Sequence, residues 1–153
     1  INKKLLGNVQ RDIPPIMDYR EHIKSGSMLN TPPVFAIYVS MLTLRWLKKN
    51  GGVASMEPVN KEKANALYEA IDNSQVFSGT ARIEDRSNMN ITFVAKDPET
   101  EKSFLDFATT KNIYGIKGHR SVGGFRASVY NAVSLESVHH LIDTMKEFEA
   151  KHS

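Results

Sequence analysis

Three glycines, Gly118, Gly123 and Gly124, fall within seven residues, and the chain passes from them straight into Phe125-Arg126-Ala127-Ser128-Val129-Tyr130. Glycine tolerates positive φ and sharp bends that side-chain-bearing residues resist. Alternating apolar and polar side chains suit a half-buried strand. The stretch therefore predicts a tight turn feeding a strand. Folded back, such a turn can bring Arg120 and Arg126 together, although they lie six residues apart. Two readings are open for these arginines. They are solvated loop residues, the commoner state of charged side chains. Or they form a site for a small dianion, because clustered guanidiniums repel and each Arg fork matches carboxylate or phosphate oxygens bidentately. The glycine turn and the abrupt change of pattern after it favour the second.

The rest of the chain reads as one α+β domain, a small and mainly antiparallel sheet covered by helices. Residues 1–31 have little periodicity, carry Pro14-Pro15 and a turn at Gly26, and are expected to form an irregular arm. Residues 32–153 are expected to form the domain proper. Its first helix should be capped by Asn30 or Thr31, hold Pro32 and Pro33 in its first turn, and end at Lys48-Lys49-Asn50-Gly51-Gly52. Apolar residues from Val34 to Leu47 cover most of its circumference, the pattern of a helix buried on several sides or facing a lost interface. A second helix is expected over 63–71, with Pro58 starting or kinking it. A strand follows at 90–95. A helix opened by Asp97-Pro98 turns Phe104, Leu105 and Ala108 inward. Strands are expected at 113–116 and 125–130, flanking the arginine loop. The last helix opens with Ser134 as cap and runs to Phe148 on one stripe of Leu135, Val138, Leu141, Ile142, Met145 and Phe148.

Composition narrows the function. The chain has 153 residues and no cysteine, so disulfides and thiolate metal sites are excluded and a reducing compartment is compatible. No apolar run reaches the ~18 residues a membrane span needs. The net charge is +3, but the basic residues are scattered, without a stripe interleaved with aromatics, so no nucleic-acid partner is expected. The first residue is Ile1 rather than Met, which suits a fragment or a processed chain. His139 and His140 are adjacent on the last helix and point in different directions, so no metal is assigned. Asp143 and Glu147 read as solvated like charges.

The stretch Lys117-Gly118-His119-Arg120-Ser121-Val122-Gly123-Gly124-Phe125-Arg126-Ala127-Ser128 resembles the C-terminal signature of the phosphoserine aminotransferase family. Gly26-Ser27-Met28-Leu29-Asn30-Thr31-Pro32-Pro33 and Asp85-Arg86-Ser87-Asn88-Met89-Asn90 resemble two further stretches of that family, in the same order. The likeness runs from about Asp18 to Phe148. It implies the C-terminal small domain of a pyridoxal-phosphate-dependent transaminase of the aspartate-aminotransferase fold type, with residues 1–31 joining an absent large domain.

The resemblance also implies roles. Arg126 matches the arginine that holds the substrate α-carboxylate. His119 and Arg120 match the pair that binds the phosphate of phosphoserine or phosphohydroxypyruvate, in the neighbouring subunit's site of a homodimer. Asn30 and Thr31 match residues that reach the cofactor phosphate across that dimer, although Asn or Thr before Pro-Pro also suits an ordinary helix cap. For His119 by itself, a surface or core histidine is the commoner case. The Schiff-base lysine and the acidic partner of the pyridinium nitrogen are implied to lie before Ile1. No residue here is therefore assigned as catalytic, and the chain by itself is expected to be inactive. The intact enzyme would convert glutamate and phosphohydroxypyruvate to 2-oxoglutarate and phosphoserine, in the cytoplasm, for serine and bacterial pyridoxine biosynthesis. Two other classes stay open: a non-catalytic phosphate- or nucleotide-binding module, and a structural domain that self-associates through its apolar first helix. For Asp85-Arg86-Ser87 only a structural turn is expected.

Overall fold

A computed structural model describes residues 2–8 and 10–152, and two compact units divide the chain, Ile1–Trp46 and Leu47–Ser153. In the first unit the arm expected to be irregular carries local helical order. Single 3-10 turns form at Lys3–Leu5 and Pro15–Met17, followed by a six-residue helix, α1, at Tyr19–Lys24. Asp18 caps α1 by accepting the Arg20 N–H at 2.9 Å, and its carboxylate also holds the Arg20 guanidinium. Capping chemistry of this kind operates within three or four residues, so it needs no apolar periodicity.

The apolar helix, α2, spans Val34–Lys49. Neither Asn30 nor Thr31 caps it, and the two prolines precede it. A residue before proline is pushed out of the α region, which excludes Thr31 and Pro32 from the helix. The first i to i−4 bond accordingly runs from Ile37 N–H to Pro33 O, at 3.1 Å. No residue of α2 is buried within this chain, and Phe35 is 80% exposed. Most of its apolar girth is exposed, with Met41 and Leu47 half-buried.

The second unit holds a three-stranded antiparallel sheet in the order β1-β2-β3, with β1 at Phe77–Gly79, β2 at Asn90–Ala95 and β3 at Phe125–Ser128. Three helices accompany it: α3 at Val53–Asp72, α4 at Pro98–Thr110 and α5 at Leu135–His152. Helix α3 begins ten residues earlier than expected and contains Pro58, which neither starts it nor ends it. Asp97 caps α4 through the Thr100 N–H at 2.8 Å, and Ser134 Oγ caps α5 through the Ser137 N–H at 3.1 Å, both as the sequence indicates.

Ile91, Phe93 and Ala95 from β2 and Phe125 and Ala127 from β3 turn towards the helices and are buried. Phe77, Phe93, Phe104, Phe125 and Phe148 meet there, with tilted or edge-on neighbours such as Phe77 and Phe104 at 4.7 Å between centroids. Edge-to-face contacts of this kind add to the apolar burial. The segment 113–116, expected as a strand, is not one. Its contribution to the sheet is limited to an Arg126 N–H bond to Ile116 O at 2.7 Å and a bridge between Lys117 and Phe125. Gly115, with φ of 75°, bends the segment away from the regular ladder.

Candidate functional site

The glycine loop closes on itself. Gly118 N–H donates to Gly124 O at 2.8 Å, and the Val122 and Gly123 N–H groups both donate to His119 O at 2.9 Å. Two glycines are required by different constraints. At Gly118 a Cβ would lie 2.0 Å from Gly123 O, so the two arms of the loop approach too closely for any side chain. At Gly124, φ is +63° and a Cβ would lie 2.7 Å from Phe93 O, so both conformation and packing against β2 demand glycine. The sequence expectation of positive φ thus holds for Gly123 and Gly124, while Gly118 is there for clearance.

The loop holds His119 and Arg120 at its exposed end. The His119 ring is itself anchored: Nδ1 lies 2.7 Å from Ser121 Oγ and accepts the Ser121 N–H at 3.3 Å. Two residues past the closure, Arg126 sits on β3 opposite Thr92, and its neighbours in the strand, Phe125 and Ala127, point into the core. Strand alternation therefore places Arg126 on the sheet face that carries no aromatic core. Among the described residues no carboxylate pairs with Arg120 or Arg126, whereas Arg20 and Arg86 each hold one and Arg82 holds two. The structure thus puts Arg120 and His119 on a rigid loop that leads directly into the strand bearing Arg126. Two cations without counter-ions on such a scaffold suit a ligand with two anionic groups.

Asn30 and Thr31 belong to the other unit and lie exposed between α1 and α2. The Asn30 amide donates to Thr31 O at 3.3 Å, and among the described residues nothing engages the Thr31 hydroxyl.

Three features that look chemical are structural. Lys63 on α3 is fully buried, and its Nζ donates to the carbonyls of Val129, Tyr130 and Val133 at 3.1, 2.8 and 3.0 Å. Burial pushes its ammonium below the ordinary value, but all three of its donors are engaged, so it acts as a clamp. The sequence contains no signal for it, since Lys63 sits in a run of ordinary helix formers. The Asp85-Arg86-Ser87 stretch, expected as a turn, leaves a 3-10 turn at Ile83–Asp85 with Arg86 extended, and it is a brace. Arg86 grips Asp72 with two bonds of 2.7 Å, lies 4.5 Å over the Tyr68 ring, and holds the Asp72 carboxyl below its usual range. Glu147, expected to be solvated, is instead held by Lys111 at 2.6 Å and Lys151 at 2.8 Å. Those two ammonium groups bring its carboxyl down to about 2. His140 is engaged with the carbonyl of Lys111 at 2.8 Å. Among the described residues no group of acidic or histidine side chains is arranged to hold a metal, and no helix is long and apolar enough to cross a membrane.

The profile of the Aminotransferase class-V family matches residues 4–141. The chain belongs to that family. Among class-V aminotransferases it is 53% identical, over 99% of its length, to the phosphoserine aminotransferase of Porphyromonas gingivalis, and spans 43% of that relative. The solved phosphoserine aminotransferase from Bacillus circulans subsp. alkalophilus superposes with a TM-score of 0.87 at 39% identity, covering 92% of this chain and 39% of that one. The pyridoxal-phosphate-bound phosphoserine aminotransferase from Trichomonas vaginalis superposes at 0.81 with 43% identity, covering 90% and 40% respectively. The chain therefore spans well under half the length of these class-V relatives.

Proposed function

We propose that the chain is the C-terminal portion of a phosphoserine aminotransferase, which passes the amino group of glutamate to phosphohydroxypyruvate and yields 2-oxoglutarate and phosphoserine. One observation carries this reading. Arg126, without a counter-ion among the described residues, stands on the sheet face away from the aromatic core, directly after a closed glycine loop that bears His119 and Arg120. Arg126 orients the α-carboxylate that all four compounds share. Arg120 and His119 take the phosphate, or the distal carboxylate of glutamate and 2-oxoglutarate. The likeness to relatives named phosphoserine aminotransferases supports the assignment.

Bound pyridoxal phosphate supplies the electron sink that moving an amino group requires. Asn30 and Thr31 fit its phosphate as exposed neutral donors, the Thr31 hydroxyl being unengaged among the described residues. In a homodimer they would serve the partner subunit's cofactor. The lysine that anchors the cofactor belongs to the remainder of the polypeptide. Lys63 is not it, because its three N–H groups already hold carbonyls. Residues 1–31 act as an arm and 32–153 as the small domain. The setting is serine biosynthesis, with pyridoxine biosynthesis beside it, in the cytoplasm. No residue of the chain is assigned a catalytic role; the chain binds and orients.

The test is kcat/KM of each half-reaction in the intact polypeptide. Arg126→Ala should weaken glutamate and phosphoserine alike, and Arg120→Ala should weaken phosphoserine more. Each loss should be about one to two decades, since a charge-assisted hydrogen bond contributes about 1.5–3 kcal/mol. Equal losses at Arg120, or a phosphate-only loss at Arg126, would show the roles to be wrong.

A further inference from the structure

We propose that Ser121 is a positioning residue that fixes His119 with its proton on Nε2, so that an Nε2–H is presented to a phosphate oxygen. This rests on the reading of His119 and Arg120 as the phosphate pair. The backbone of His119 is immobilised first, because its carbonyl accepts the N–H groups of both Val122 and Gly123. Among the described residues the ring is then held by Ser121 alone, whose backbone nitrogen lies 3.3 Å and whose Oγ lies 2.7 Å from Nδ1.

A backbone N–H can only donate, so Nδ1 offers its lone pair to it, but at 3.3 Å that bond is long and weak, and the hydroxyl at 2.7 Å is needed to hold the ring in this tautomer. The Ser121 hydroxyl, facing the same lone-pair-bearing nitrogen, therefore also donates. A neutral imidazole with a bare Nδ1 carries its hydrogen on Nε2. Nε2 has no hydrogen-bond partner among the described residues, and His119 stands on the exposed side of the loop beside Arg120. In this tautomer the ring adds a fixed donor to the guanidinium fork. In the other it would turn a lone pair towards the anion and oppose binding. Serine contributes both anchoring donors. Threonine would keep both, and alanine would keep only the backbone N–H.

The experiment uses the full 153-residue chain, uniformly labelled with nitrogen-15. Two-bond proton–nitrogen correlation at pH about 8, where an ordinary histidine is neutral, separates the ring tautomers. Inorganic phosphate is then titrated into the same samples. The expected result is a single Nε2–H pattern for His119 in the wild type and in Ser121→Thr, and a mixed pattern in Ser121→Ala. The phosphate Kd should rise roughly three- to tenfold in Ser121→Ala, the loss of one ordinary hydrogen bond, and return in Ser121→Thr. If the serine merely stabilised the turn, Ser121→Ala would lower the unfolding midpoint and leave the tautomer unchanged. An Nδ1–H pattern in the wild type, or an unchanged tautomer in Ser121→Ala, would overturn the proposal. The expected tautomers with no wild-type response to phosphate would overturn the phosphate reading and leave the positioning role standing.

Discussion

Replacing Lys63 by Met should be among the most damaging single substitutions in the second unit. Methionine nearly matches the length of the lysine stem, so little volume is lost. The ammonium disappears from between the carbonyls of Val129, Tyr130 and Val133. The Tyr130 carbonyl keeps a bond from the Val133 N–H at 2.9 Å, so two acceptors, one buried at Val129 and one half-buried at Val133, are stranded rather than three. Each stranded acceptor costs about 1–3 kcal/mol, or about 2–6 kcal/mol for two. Removing a buried charge returns part of that, because its desolvation no longer has to be overcome. The net expectation is a loss of about 2–4 kcal/mol, a large share of the ~5–15 kcal/mol that holds a domain together. Urea denaturation at neutral pH measures it directly. With a slope of about 1–3 kcal/mol per molar, the midpoint should fall by about 1–2 M. Lys63→Ala should fall further, since it also opens a cavity. A change of under about 0.5 kcal/mol in Lys63→Met, typical of a surface position, would refute the clamp.

Gly118→Ala should lower stability by about 1–3 kcal/mol, as over-packing does, and abolish phosphate binding, because its Cβ collides with Gly123 O; paired denaturation and phosphate titration check both. Glu147 contributes stability that is fully present above its ordinary value of 4.5 and lost as pH falls towards about 2. The wild type should therefore destabilise through that window more steeply than Glu147→Gln, and parallel pH profiles would count against the Lys111–Glu147–Lys151 cluster. Arg86→Ala should cost about 1–2 kcal/mol, the value of a partly exposed bidentate pair with a cation–π contact, read from its unfolding midpoint. The chain by itself, given glutamate, phosphohydroxypyruvate and pyridoxal phosphate, should show no turnover above a buffer blank; borohydride-sensitive turnover would contradict the assignment of the anchoring lysine elsewhere.

What the sequence determined by itself is local. Asp97 and Ser134 cap their helices because capping needs a side chain and an amide a few residues apart. The alternation of Ile91, Phe93 and Ala95 sets which face of β2 is buried, because strand geometry has a period of two. The three glycines announced a loop, because so tight a reversal needs residues without a Cβ, and the loop drew attention to His119, Arg120 and Arg126, whose binding of anions we propose. Chain fold decided whatever depends on partners distant in sequence. Lys63 became a clamp only because β3 and its exit run beside α3, some 66 to 70 residues away. Glu147 is paired because α4 ends beside α5, which brings in Lys111. Gly118 is needed for clearance rather than for its φ, a distinction visible only once Gly123 O stands where a Cβ would be. The start of α2 lies between these cases: the proline rule was present in the sequence, and it outweighed the preference of Asn30 and Thr31 for a cap. Periodicity marks the faces an element must bury, and the tertiary structure alone selects which atoms meet there, because contact across a core is independent of distance along the chain.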